Sequence, residues 1–292
     1  MALRPWQMVD TRRRRRKIKE RPVSNRRWFN HGIGDALMLR SILPAFKTPF
    51  TLAIPEGRKY AELFDGFDNV SVEFVDAPGK QYQPIDMNAE DSCLPVECGR
   101  PIKPRIALEH DFRVFDYTYR IAPLELDLSW VNSPGGAATL ERLKAIPGRY
   151  VVIHAHGASS PLRKDCPVEV AEWICDAVYA AGLIPVLVNY GNDRVYPFAV
   201  NGRVVQTIGW PMDATSLWWL LHEAEAVIAI DSGVLHMALT IPDLPCLFVR
   251  NKIDFMRFFY DCGLEQVRDV LQVTDTKTET EKKVSQLCLS VQ

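Results

Sequence analysis

Nowhere in the 292 residues does an apolar run reach the ~18 positions that a membrane-crossing helix needs. The charged N-terminus has no apolar stretch behind it, so no secretory leader is expected. Cysteine is sparse and has no paired pattern. Seven thiols (Cys93, Cys98, Cys166, Cys175, Cys246, Cys262, Cys288) at irregular spacing predict a reduced, cytoplasmic protein rather than a disulfide scaffold. Cys93 and Cys98 have no second pair to complete a zinc site, so no metal is expected. Short solenoid repeats, collagen periodicity and long heptad runs are also missing. What remains is an ordinary composition, 47% hydrophobic and 24% charged. A chain of this size buries roughly three quarters of its unfolded surface, in one large domain or two of middling size.

The net charge of −1 conceals an asymmetry. Residues 1–27 hold eleven Lys/Arg and two acids, a charge of +9, while the other 24 basic and 34 acidic residues carry −10. Arg12 to Lys17 is an unbroken run of cations and predicts a solvated, disordered arm over residues 1–25. Two readings of the arm stay open. It is a solubilising leader, or it contacts phosphates of nucleic acid or of an anionic surface such as the inner membrane face.

From residue 26 onward strand and helix signals alternate. Residues 26–30 read as a short strand, then comes the glycine turn His31-Gly32-Ile33-Gly34-Asp35, then a helix over 36–46 with Leu37, Leu39, Ile42, Leu43 and Phe46 on one face. Strands are expected at 50–54 and 70–75, with a short helix at 59–64 between them. Residues 76–104 hold five prolines and read as a long excursion. A short helix at 137–145 leads to Pro147-Gly148, where a boundary falls. The second half is a repeated β-α-β pattern. Strands are expected at 150–154, 184–189, 204–207, 226–230 and 246–249, and helices follow Pro167, Asp213 and Ser232. Alternation of this kind specifies an α/β protein with parallel sheets. The expected units are an arm at 1–25, a first domain at 26–147, a second at 148–272 and a polar tail at 273–292 that can form a last helix.

Ligands of open parallel sheets bind beyond the carboxyl ends of the strands, and three loops with unusual residues fall there. In the first, Gly32 and Gly34 let backbone approach a ligand, and Asp35 is either a helix cap or a general base. In the second, His154-Ala155-His156-Gly157-Ala158-Ser159-Ser160 is followed by Lys164, a compact cation suited to phosphate. The His-x-His pair there also admits a metal reading, although further ligands are not evident. In the third, Asp231 ends a strand and Ser232-Gly233 opens a helix that carries His236. Its backbone N–H groups and the Ser232 hydroxyl form an anion nest, or else Ser232 is an ordinary cap and His236 a satisfied core residue. The Gly-x-Ser-x-Gly elbow of a hydrolase is absent.

Together, "GIGDALMLRSILPAF" (32–46), "VVIHAHGASSPLRKDCPVEVAEWICDAVYAAGLIPVLV" (151–188) and "AVIAIDSGVLHMAL" (226–239) resemble glycosyltransferase family nine, the ADP-heptose–lipopolysaccharide heptosyltransferase group. The resemblance implies a GT-B architecture, two Rossmann-like domains facing across a cleft. It implies sugar transfer with inversion from a nucleotide-diphosphate donor, ADP-heptose-like, to the hydroxyl of a glycan or glycolipid acceptor, without metal or other cofactor. It makes Asp35 the expected base. It assigns Lys164, Asp231, Ser232, Gly233 and His236 to the donor. The loop reading adds Ser159 and Ser160 to the donor site and makes Gly32 and Gly34 an acceptor or phosphate loop. The family's Lys-x-Trp-Pro reads Lys164-Asp165-Cys166-Pro167 here, and the loop where it often carries an acid near the ribose reads Tyr190-Gly191-Asn192-Asp193. Alternatives with the same fold are a hydrolase, an epimerase, a non-catalytic nucleotide-sugar-binding protein, or a glycosyltransferase that acts on nucleic acid.

Overall fold

The computed structural model describes residues 26–30, 32–43, 49–56, 60–64, 66–77, 79–84, 94–95, 101–102, 134–157, 164–189, 196–210, 213–251 and 267–291. The basic arm, including 12–17, lies outside the described residues, as do His31, Ser159, Ser160 and the loop 190–193.

Two parallel sheets organise the chain. The first is built from β1 (Arg26–Trp28), β2 (Phe50–Pro55), β3 (Val70–Val75) and β4 (Gln83–Pro84), in the order β3-β2-β1-β4. Helix α1 (Ile33–Ile42) joins β1 to β2, and a 3₁₀ turn at Ala61–Phe64 lies between β2 and β3. Within the 76–104 excursion, β5 (Leu94–Pro95) and β6 (Pro101–Ile102) form a small antiparallel pair.

The second sheet contains β7 (Tyr150–His154), β8 (Ile184–Leu187), β9 (Val205–Gln206), β10 (Ala226–Ile230), β11 (Cys246–Arg250) and β12 (Val267–Gln272), in the order β12-β11-β10-β7-β8-β9. Every pairing in both sheets is parallel. From β7 the chain winds outward through β8 to β9. It then returns to β10 on the other side of β7 and winds outward through β11 to β12. The order therefore reverses between β7 and β10, and in the first sheet between β1 and β4. In open α/β sheets such switch points are where ligands bind.

Further helices are α2 (Pro134–Lys144), α3 (Val168–Ala180), α4 (Ala214–His222), α5 (Gly233–Ala238) and α6 (Lys277–Leu289). Their ends follow local chemistry. The Asp213 carboxylate caps α4 by accepting from the Ser216 N–H at 2.6 Å. Gly182, at φ +78°, ends α3: its N–H reaches Tyr179 C=O, and Leu183 N–H reaches Val178 C=O. That paired closure needs a left-handed residue, which glycine adopts without strain. Thr276 and Glu279 cap α6 reciprocally.

Alternate residues of the central strands fill two cores. Val151, Ile153, Ile228 and Ile230 pack on one face with Ile174, Val178, Val284 and Leu287 of α3 and α6. Val152, Val227 and Ala229 face the other way and join Leu217, Leu221 and Leu235. That second core continues without a break into the first sheet through Phe29, Leu37, Leu39, Leu52 and Ile54. Phe29 anchors the continuation, with edge-on contacts to Tyr60 and Phe64 at 6.0 and 6.1 Å. Helix α2 sits on α4, where Thr139 Oγ1 donates to Ser216 Oγ at 3.1 Å. Among the described residues no helix is long and apolar enough to cross a membrane. Cys166, Cys175, Cys246 and Cys288 are buried free thiols.

Candidate functional site

Beyond the carboxyl end of β1, Gly32 is the N-cap of α1, with extended backbone and no side-chain cap bond. The helix starts at Ile33, three residues earlier than its apolar periodicity predicts. Asp35 is thus the third helical residue, half-buried in the first turn, and is not the cap. Of the two sequence readings of Asp35, capping is the one the structure overturns. The peptide plane at Gly32 already starts the ladder, with Ala36 N–H donating to Gly32 C=O at 3.0 Å.

Beyond β10, Asp231 precedes Ser232, the N-cap of α5, and His236 is the fourth residue of that short helix. The first turns of α1 and α5 meet backbone to backbone. A Cβ on Gly34 would lie 3.0 Å from His236 Cδ2 and 3.4 Å from Gly233 Cα. A Cβ on Gly233 would collide with Ile33 Cγ2 and lie 3.2 Å from Gly34 N. Glycine is needed at both positions for space rather than for backbone conformation. The consequence is electrostatic: two helix N-termini, each with roughly half a positive charge, converge beside the switch points of both sheets.

Gly233→Ala should therefore destabilise the fold by about 1–3 kcal/mol, the usual cost of forcing a side chain into a filled site. Ile33 is β-branched and buried, so it cannot swing clear. Ile33→Ala adds little further loss in the Gly233→Ala background, because it removes the colliding methyl. Urea denaturation of the two single variants and the double variant checks this. Strictly additive losses would show that the two residues do not meet.

Lys164 joins the same place from the β7 side. Its Nζ pairs with Asp231 Oδ2 at 2.9 Å, and His236 Nε2 lies 3.3 Å from Asp231 Oδ1. Burial of the Asp231 carboxyl opposes its charge, but the hydrogen bond and charge of His236 and those of Lys164 outweigh it and hold the group down to about 2. Asp231 is therefore an ionised hinge between two cationic or donor side chains.

The two histidines that end β7 have different partners. His154 is 3% exposed, and its Nδ1 lies 2.9 Å from Ser232 Oγ. Burial, with the charge of His156 adding, pushes its imidazole down to about 3, so the ring is neutral. His156 Nδ1 pairs with Asp165 Oδ2 at 2.5 Å, and its ring lies 5.6 Å from that of Tyr196. Asp165 closes the base of the 158–163 loop: Oδ1 accepts from Gly157 N–H at 3.0 Å, and its C=O accepts from Asn251 Nδ2 at 2.7 Å. Among the described residues no group of three or more His, Cys, Asp or Glu could hold a metal ion. Sequence reasoning passed over Asp165, Asn251 and the His154–Ser232 pair. A signal for Asp165 existed in its place between Lys164 and a buried Cys166, but its partner His156 is on the far side of a loop.

The site and topology define an α/β fold of the GT-B type. No family model matches the sequence, and no curated protein matches it in sequence. Solved structures do match in fold. A glycosyl transferase family 9 structure from Veillonella parvula is 12% identical with a TM-score of 0.53, covering 92% of this chain and 99% of that one. E. coli ADP-heptose lps heptosyltransferase II is 13% identical with a TM-score of 0.56, covering 90% and 99%. E. coli heptosyltransferase WaaC with ADP is 12% identical with a TM-score of 0.50, covering 91% and 98%. At these identities the likeness is one of fold, and these structures are those of the group that the three sequence motifs resemble.

Proposed function

We propose that the protein is a glycosyltransferase that moves a sugar from a nucleotide-diphosphate donor to an acceptor hydroxyl with inversion, using a heptosyltransferase-like donor site. The observation that carries this reading is the convergence of two helix first turns beside Lys164, with Asp35 on the opposite turn. A departing nucleoside diphosphate needs positive potential that is already in place, and acceptor attack needs a base. Lys164, the Ser232 hydroxyl and the first-turn N–H groups at Gly233 supply the first. Asp35 supplies the second. With a cation and helix dipoles to balance the phosphate charge, the step needs no metal. Asp231 orients Lys164 and His236 and can accept from sugar hydroxyls. Ser159, Ser160, Gly32 and Gly34 belong to the same donor and acceptor loops in this reading.

The ADP bound by WaaC supports an adenine nucleotide, and the ADP-heptose in the name of heptosyltransferase II supports a heptose-like sugar, as the donor. The acceptor is a glycan or glycolipid, held by the 26–147 part while the 148–272 part holds the donor. The basic arm at 12–17 then serves to approach an anionic membrane face from the cytoplasm.

Lys164→Ala should weaken nucleoside diphosphate binding by about 1.5–3 kcal/mol, the range for a hydrogen bond to a charged group, as read by calorimetry. The function itself is tested by incubating the full chain with an ADP-sugar and a panel of truncated glycolipids, following ADP release and acceptor mass. Acceptor-dependent ADP release with a mass gain of one sugar supports transfer. ADP release without acceptor would indicate a hydrolase, and binding without turnover a scaffold. A shift with DNA that weakens with salt, and is lost on deleting residues 1–25, would favour a nucleic-acid acceptor.

A further inference from the structure

The Ser232–His154 contact departs from what its sequence position favours. A serine at an N-cap ordinarily turns its oxygen back to accept from the second or third helical N–H. Ser232 sits at the N-cap of α5 with extended backbone (φ −156°, ψ 169°) and makes no such bond. Its hydroxyl is engaged instead across the sheet by His154, from the neighbouring strand, where His154 pairs in register with Ala229.

The other ring nitrogen of His154, Nε2, is buried and has no hydrogen-bond partner among the described residues. A neutral imidazole carries one N–H and one lone pair. Were the hydrogen on Nε2, a buried donor would be orphaned, the rarer and costlier arrangement. With the hydrogen on Nδ1, the ring's only donor is satisfied, and a lone pair alone is left without a partner.

We infer that His154 is a positioning residue of the donor site: protonated on Nδ1, it donates to Ser232 Oγ and leaves the Ser232 hydroxyl hydrogen to be given to a phosphate oxygen. This rests on the donor-site reading above and adds a named residue to it. The imidazole takes one of the two acceptor lone pairs of the serine oxygen and turns the oxygen away from its own helix, where it makes no cap bond. The O–H is then left to be presented to a ligand. An O–H placed beside Lys164 suits an anion. This role also explains a histidine in an otherwise apolar strand end, beside Val152 and Ile153.

Two measurements test this. The first is the tautomer, from long-range ¹⁵N–¹H spectra of the full chain labelled at its histidines. The expected result is a neutral His154 with its hydrogen on Nδ1, and a hydrogen on Nε2 would overturn the inference whether or not any nucleotide binds. The second is ADP affinity across a cycle of variants, each first checked for cooperative melting. Asn places an amide N–H close to where Nδ1–H stands, so His154→Asn should stay within roughly threefold of wild type, while His154→Leu and Ser232→Ala should each lose roughly tenfold. His154→Leu combined with Ser232→Ala should lose little more than either alone, because one hydrogen bond serves both. Losses that multiply to roughly a hundredfold, or Asn behaving like Leu, would overturn the positioning role. If His154→Leu does not fold, the Asn variant and the spectra decide it. A wild-type protein that binds no ADP, yet shows the Nδ1 tautomer, would count against the donor-site reading and not against the hydrogen-bond assignment.

Discussion

Asp35→Asn should melt close to wild type, still bind a nucleoside diphosphate, and lose at least about a hundredfold in single-turnover transfer. A sugar or lipid hydroxyl is a poor nucleophile at neutral pH, and a positioned carboxylate that takes its proton contributes roughly 10²–10⁴-fold. Asn is nearly isosteric but cannot take a proton. The competing structural role is small: Gly32, not Asp35, caps α1. Asn also gives up the favourable placement of a negative charge in the first turn, about 0.3–1 kcal/mol. The two roles therefore separate in one variant. Retained turnover would place the base elsewhere and leave Asp35 as a helix-dipole residue.

The second large effect is acid destabilisation through His154. Its pKa falls from the ordinary 6.5 to about 3 in the fold, because burial, aided by the charge of His156, disfavours the imidazolium. A histidine whose folded pKa is depressed binds more protons when unfolded. Its contribution is therefore complete above pH 6.5 and is lost as the pH falls from there toward 3. The slope approaches about 1.4 kcal/mol per pH unit. Over that window the loss is on the order of 4 kcal/mol, a large part of the roughly 5–15 kcal/mol typical of a domain. His154→Asn has nothing to titrate, so its stability should fall less steeply than wild type between pH 6.5 and about 4 in urea titrations. Parallel curves would mean that His154 is reached by protons in the native state. A separate loss follows at lower pH, where Asp231, held at about 2 against an ordinary 3.8, takes its proton.

Much of this fold is legible in the chain because buried parallel strands advertise themselves as short apolar runs. Tyr150–His154, Ala226–Ile230 and Cys246–Arg250 are of that kind, buried along nearly their whole length. β12 is not legible in the same way, because Val267-Arg-Asp-Val-Leu-Gln is an edge strand with exposed charges, and its pattern resembles a loop. The start of α1 departs from its apolar period for a different reason. Gly34 reads locally as a turn residue, yet its lack of a side chain serves a contact with Gly233 and His236, far away in sequence. The candidate site followed the same division. Asp35, Lys164 and Asp231 were visible as polar residues beyond strand ends. The pairings of Lys164 with Asp231 and of His154 with Ser232 exist only once the chain has folded and β7 and β10 lie side by side. No spacing within one loop encodes such a pair, whereas His156 and Asp165 meet within the segment that follows β7. The polar segment after Thr274 reads as a tail that can form a last helix, and Val284, Leu287 and Cys288 recur at helical spacing and bury α6 against α3.

The most direct test of the central claim is a crystal structure of the full chain with ADP bound. The account predicts the diphosphate at the meeting of the α1 and α5 first turns, with an oxygen in hydrogen-bond range of Lys164 Nζ and another of the Ser232 hydroxyl. Because Gly34 and Gly233 are packed together, the turns should separate to admit it. ADP bound away from Lys164 and Ser232, with those turns still in contact, would contradict the account.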